Sequence, residues 1–126
     1  MSEVKRILLI DDDIDHLLIC NLILRRRGFE VMTMAGCERM DDLVNAVETF
    51  RPELIFLEHD MRGICGMELI RMLKSHGVFK QIPVVYFSDR DDIVRLAKEA
   101  GADSYLRKPL DVTMFTDMAI RYLAPS

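Results

Sequence analysis

Two apolar runs in this 126-residue sequence end in acids. "RILLI" leads into Asp11, Asp12 and Asp13, and "ELIFL" leads into Glu58, with Asp60 two residues further on. A third run, "IPVVYF", ends in Ser88, and "SYLR" leads into Lys108 and Pro109. Carboxylates crowded together repel one another and raise each other's pKa values. A hard divalent cation relieves that repulsion, and Mg2+ takes oxygen ligands in octahedral geometry while keeping several waters. Asp11, Asp12 and Glu58, with a backbone carbonyl near Asp60, form a suitable donor set. A lysine ammonium and a serine hydroxyl beside them can bind phosphoryl oxygens. Metal, hydroxyl and ammonium around a strand-end carboxylate make a phosphoryl-transfer site.

These residues meet only if the runs that carry them lie side by side with a common direction. The pattern along the chain supports that. Arg6 to Asp11 is continuously apolar up to its acid, the mark of a strand buried on both faces. A helix from about Ile14 to Arg27 follows and stops at Gly28. "FEVMT" (29–33) alternates and reads as a strand nearer an edge. A helix spans roughly Glu38 to Phe50, with Pro52 after it, and Glu53 to Glu58 is the third strand. Gly63 and Gly66 break the next loop, and a helix runs from about Met67 to His76. Ile82 to Ser88 is the fourth strand. Asp89 is a candidate cap for the helix carrying "DIVRLAKEAG", which closes at Gly101. Ser104 to Arg107 is a short fifth strand, and Asp111 to Leu123 a last helix that Pro125 prevents from continuing. Strands alternating with helices imply a parallel sheet covered on both faces, with right-handed crossovers. Ligands of such folds bind beyond the carboxyl ends of the strands. The acids, the hydroxyl and the lysine all fall there.

Composition sets bounds on function. Half the residues are hydrophobic and 30% are charged, enough for a core in one domain over residues 1–126. The net charge is −4 and the pI about 5.3. That balance argues against non-specific binding to nucleic acid or to anionic membranes. The one basic cluster, Arg25-Arg26-Arg27, suits a last helical turn, with a phosphate contact as the alternative. No apolar run approaches the roughly 20 residues that span a bilayer, and "MSEVKR" is no secretory leader. Cys20, Cys37 and Cys65 are odd in number and widely spaced, without metal-site spacing. Reduced thiols in a cytoplasmic protein are the simplest reading.

Four pieces, "ILLIDDD", "PELIFLEHDMRGICGMEL", "IPVVYFS" and "GADSYLRKPL", occur in an order and at a spacing that resemble the receiver domain of bacterial two-component response regulators. The resemblance covers essentially the whole chain. It implies a flavodoxin-like, doubly wound α/β fold with a five-stranded parallel sheet in the order 2-1-3-4-5. It implies Mg2+ as cofactor, histidine kinases and output proteins or domains as partners, and signalling by phosphorelay rather than enzymatic turnover. By this resemblance Asp11 and Asp12 are the acidic pair that holds the metal, with Asp12 the usual direct ligand, and Asp60 contributes a backbone carbonyl. Ser88 and Lys108 contact the phosphoryl group, Pro109 follows a peptide bond that is often cis, and Ser88 with Tyr105 forms the switch. No effector domain is expected within these residues.

The sequence also departs from that pattern. The family's phosphoacceptor is an aspartate, and Glu58 stands in its place. The extra methylene moves the reactive oxygen by roughly 1.5 Å, and a 1 Å misplacement in a site built for in-line attack can cost about 10²-fold. The longer arm also carries a negative charge toward Ser88 and Lys108, which makes a partial phosphoryl mimic. These points imply an atypical receiver, a pseudo-receiver acting through protein–protein switching. Arg62 stands where the family has proline and either points into water or pairs with Glu58 or Asp60. Cys65 precedes Gly66 as inert packing. His16 and His59 flank the site, and lone histidines of this kind are usually incidental. The first helix is apolar nearly all round, which suggests a buried helix or a partner or homodimer surface. An Mg2+-dependent phosphatase of the haloacid-dehalogenase type is the alternative function, from the DxD after the first strand. A flavodoxin-like cofactor site is disfavoured, because three aspartates would repel a phosphate.

Overall fold

A computed structural model describes residues 4–123. Strands β1 (Arg6–Ile10), β2 (Glu30–Met34), β3 (Leu54–Glu58), β4 (Val84–Ser88) and β5 (Ser104–Arg107) alternate with helices α1 (Ile14–Arg26), α2 (Met40–Phe50), α3 (Gly66–Ser75), α4 (Ile93–Ala100) and α5 (Val112–Leu123). All strand pairs are parallel, and the sheet order is β2-β1-β3-β4-β5. This is the fold that the alternation of elements predicts.

The continuous apolar runs are explained by the two faces of the sheet. Successive strand residues point to opposite sides. Leu8, Ile10, Ile55, Leu57, Val84 and Tyr86 pack under α2, α3 and α4. Ile7, Leu9, Phe56, Val85 and Phe87 pack under α1 and α5. Both layers are therefore sealed, and the polar ends of the strands are the one place where the sheet meets chemistry. The edge position expected for the second strand is observed.

Several local expectations are corrected. Asp89 does not cap α4, because the chain makes another turn and Asp92 is the N-cap residue, without a side-chain cap bond. Asp13 does cap α1, accepting from the His16 amide at 3.2 Å. The second helix begins at Met40, after Arg39, rather than at Glu38. A 3₁₀ turn at Phe79–Gln81 precedes β4. Pro125 lies outside the described residues.

Candidate functional site

Parallel pairing brings the strand ends to one edge. Ile10 lies beside Leu57, Glu58 beside Phe87, and Ser88 beside Arg107. Asp11, Glu58, Ser88 and Lys108 are thus gathered, and the first three are buried.

Asp11 is the centre of the cluster. One carboxylate oxygen, Oδ1, accepts from the Asp13 amide at 3.0 Å. The other, Oδ2, accepts from His16 Nδ1 at 2.6 Å and lies 3.3 Å from Lys108 Nζ. Burial works against its charge, but the His16 bond, the Asp13 amide and Lys108 together hold its carboxyl below the usual range. His16 is placed by the helix itself. It sits in the first turn of α1, where side chains lean toward the N-terminus, and its ring meets Phe87 edge-on at 5.1 Å.

Glu58 has both oxygens engaged. Oε1 is in direct contact with Lys108 Nζ. Oε2 accepts from the His59 amide at 2.7 Å and the Asp60 amide at 3.4 Å. Burial pushes the Glu58 carboxyl up, and Lys108 only partly offsets this. Lys108 is also penalised by burial, yet Glu58 and Asp11 raise it above the usual lysine range. The geometry favours the ionised pair, since every neighbour of the Glu58 oxygens is a donor. Gly66 permits the tight turn beneath: a Cβ there would run into the Glu58 carbonyl and lie 2.9 Å from His59 Cα.

The other expected residues take different places. Asp12 Oδ2 accepts from the Arg62 amide at 2.8 Å. The Arg62 guanidinium extends into water, 3.8 Å from the same oxygen, and pairs with neither Glu58 nor Asp60. Asp60 turns outward toward Arg90, at 3.9 Å. Ser88 Oγ accepts from the Arg90 amide at 3.0 Å, so among the described residues Glu58 reaches Lys108 and not Ser88. Tyr105 is turned outward, 38% exposed, with the Arg107 guanidinium 6.0 Å from its ring centre. The Lys108–Pro109 peptide is cis. Cys65 is the N-cap residue of α3 and makes no side-chain cap bond.

The two histidines that flank the site both have hydrogen-bond partners, and neither joins a metal-binding group among the described residues. His59 Nδ1 is hydrogen-bonded to the hydroxyl of fully buried Tyr86, and its ring meets Tyr86 edge-on at 5.3 Å. His16 is part of the acid cluster. Its signal was its offset: an Asp13 cap fixes residue 16 in the first turn, facing back at the strand end. Cys20 Sγ lies 3.8 Å from the His16 ring. Burial pushes that thiol up to about 12, so it is no nucleophile.

Mg2+ is the ion that the acids and the family resemblance imply. As placed, the side chains do not form its centre. His16 and Lys108 hold Asp11, the Arg62 amide holds Asp12, and Lys108 with two amides holds Glu58. Among the described residues no three His, Cys, Asp or Glu side chains converge as a metal-binding group. Lys108 supplies positive charge to both Asp11 and Glu58, and His16 adds a hydrogen bond to Asp11.

The sequence model of the response regulator receiver domain matches residues 7–120. The DNA-binding response regulator MtrA of Mycolicibacterium paratuberculosis is 30% identical over 107 residues, covering 83% of this chain and 45% of that protein. The phosphate regulon transcriptional regulatory protein PhoB of Klebsiella pneumoniae is 32% identical over 108 residues, with the same coverages. The chain thus spans about half the length of these curated relatives. Among solved structures, a receiver domain from Bermanella marisrubri has a TM-score of 0.83 at 28% identity, covering 96% of this chain and 99% of that one. A response regulator from Chloroflexus aurantiacus has a TM-score of 0.85 at 24% identity, covering 98% and 100%, and shows the common fold.

Proposed function

The chain belongs to the response regulator receiver domain family of two-component signalling, and from that premise we propose that it is a pseudo-receiver that signals through protein contacts without being phosphorylated. Glu58 is the residue at the phosphoacceptor position. The observation that carries this reading is the direct Glu58–Lys108 pair, with the remaining Glu58 oxygen capped by two amides. The longer arm is spent on Lys108, and no oxygen is left free and aimed for in-line attack. The His16–Asp11 hydrogen bond occupies a carboxylate oxygen that the chemistry would offer to a metal.

The same arrangement supports half of a phosphoryl mimic. Glu58 satisfies Lys108 but leaves Ser88 to the Arg90 amide. A shift between two states needs differential affinity. Moving a population from 1:99 to 99:1 takes about 5.5 kcal/mol, and one charged contact supplies about 1–3 kcal/mol. The equilibrium is therefore biased rather than locked, and outward Tyr105 with unswitched Ser88 marks the favoured side. Ser88 and Tyr105 act as the switch pair, Asp11 holds the cluster in place, and Asp12 fastens the loop at Arg62.

Histidine kinases and output domains are the partners that the family meets, and this chain uses protein partners of that kind. Its net charge of −4 gives it no nucleic-acid surface of its own. Among the described residues no helix is long and apolar enough to cross a membrane. A cytoplasmic setting suits the three free cysteines. The family match favours this reading over the phosphatase alternative.

Intact mass after incubation with Mg2+ and a small acyl phosphate tests the proposal. The wild-type chain is expected to keep its own mass. The double variant Glu58→Asp, His16→Leu, which shortens the acceptor and removes the His16 bond to Asp11, is expected to gain one phosphoryl group. A phosphoryl adduct on wild-type Glu58 overturns the proposal.

A further inference from the structure

The outer face of α1 carries a pattern that the signalling site does not use. The helix buries Leu17, Cys20 and Leu24 against the sheet. On the opposite side Leu18 is 60% exposed, Ile19 51% and Leu22 54%. At 3.6 residues per turn, Asp15, Leu18, Ile19, Leu22 and Arg26 fall within an arc of about 100°. All five are exposed. The stripe therefore opens on an acid, runs through three large apolar side chains and closes on a base. Among the described residues neither Asp15 nor Arg26 joins an ion pair of this chain.

Such a stripe is complementary to itself only when reversed. A two-fold axis applies each contact twice. The antiparallel register that sets Asp15 against Arg26 of the second copy also sets Ile19 against Leu22 of the second copy, with Leu18 flanking. A parallel pairing would set Asp15 on Asp15 and Arg26 on Arg26 and would be repelled at both ends. An anionic bilayer fits poorly, because the acid lies in the middle of the apolar arc at its N-terminal end.

We propose that α1 is a self-association helix, on which two copies of this chain pair antiparallel through Leu18, Ile19 and Leu22, with Asp15 of each facing Arg26 of the other. This stands independently of whether Glu58 accepts a phosphoryl group. The apolar residues supply the affinity, and the charged ends set direction and register. One helix face per copy falls below the roughly 1,200 Å² of a standard interface, so the dimer is weak and reversible.

Sedimentation equilibrium of the full chain over a wide concentration range tests this. The apparent mass is expected to climb from the 14.6 kDa of one chain toward twice that value. Leu22→Glu is expected to hold the chain monomeric, with its circular dichroism melt confirming that it still folds. Asp15→Arg alone sets arginine against arginine at both ends and is expected to raise the dissociation constant about fivefold. The double variant Asp15→Arg, Arg26→Asp is complementary again and is expected to recover most of that loss. A wild-type chain that stays monomeric at its highest attainable concentration overturns the proposal and leaves the stripe to a partner of different sequence. So does a dimer that Leu22→Glu leaves intact, or a double variant no tighter than the single one.

Discussion

The molecule holds two clusters of alternating charge with similar contact distances and opposite settings. At the sheet edge, His16 Nδ1 lies 2.6 Å and Lys108 Nζ 3.3 Å from Asp11 Oδ2, and Lys108 also touches Glu58. At the start of α4, Arg95 lies 2.6 Å from Asp92 and 2.9 Å from Glu99, and Arg90 lies 3.0 Å from Asp92. The first cluster is largely buried, while the second stands in solvent. Water and salt screen the second set, whose partners are easily replaced by solvent. The first set has no such replacement, so each member is held by the others. Distance alone does not separate the two clusters; burial does.

Removing one member from each cluster sharpens the contrast. Lys108→Met leaves both Glu58 and Asp11 without their shared cation, and breaking a buried pair in this way costs about 3–5 kcal/mol. Urea denaturation of wild type and variant gives that difference directly. His16→Leu has a smaller effect, about 1–2 kcal/mol, because Asp11 keeps Lys108 and the Asp13 amide when one charged hydrogen bond is lost. Arg95→Ala, at the exposed cluster, is expected to leave the melting temperature where it was. A loss there as large as that of His16→Leu would remove the distinction between the clusters.

The buried pair also predicts a pH dependence. The ordinary lysine value of 10.5 applies to the unfolded chain, and in the fold Lys108 is raised above it by Glu58 and Asp11 against the effect of burial. The folded state therefore retains the proton longer than the unfolded state. The stabilisation is full below pH 10.5 and fades as pH rises through the higher folded value. The stability gap between wild type and Lys108→Met is expected to be flat at neutral pH and to narrow on the alkaline side. A gap that instead widened above pH 10.5 would place the lysine outside the pair.

Much of this was legible in the residues. Apolar runs such as "ILLI" and "LIFL", alternating with helices, point to strands buried on both faces of a parallel sheet, and that topology sends every strand end to one edge. Asp11, Glu58, Ser88 and Lys108 are legible for that reason. The orientation of side chains was not legible. Glu58 turns to Lys108 and Asp60 to Arg90 by rotamer choices that no spacing encodes. The partner of His16 was not legible, because it is set by a capped first turn, three-dimensional information spread over Asp11, Asp13 and His16. The α4 cap was misplaced because Asp89, Asp91 and Asp92 are equally good caps by type, and only the path of the chain selects among them. The outer face of α1 was read as apolar, but burial decided which of its apolar residues are core and which are surface.

The most direct test of the central claim, that the acids at the sheet edge are neutralised from within, is a thermal melt with and without Mg2+. An ion that binds only the folded state raises stability by mass action. The account predicts that Mg2+ in large excess over the protein leaves the wild-type melting temperature unchanged. A clear rise under that excess, absent with a monovalent salt of equal ionic strength, would contradict it.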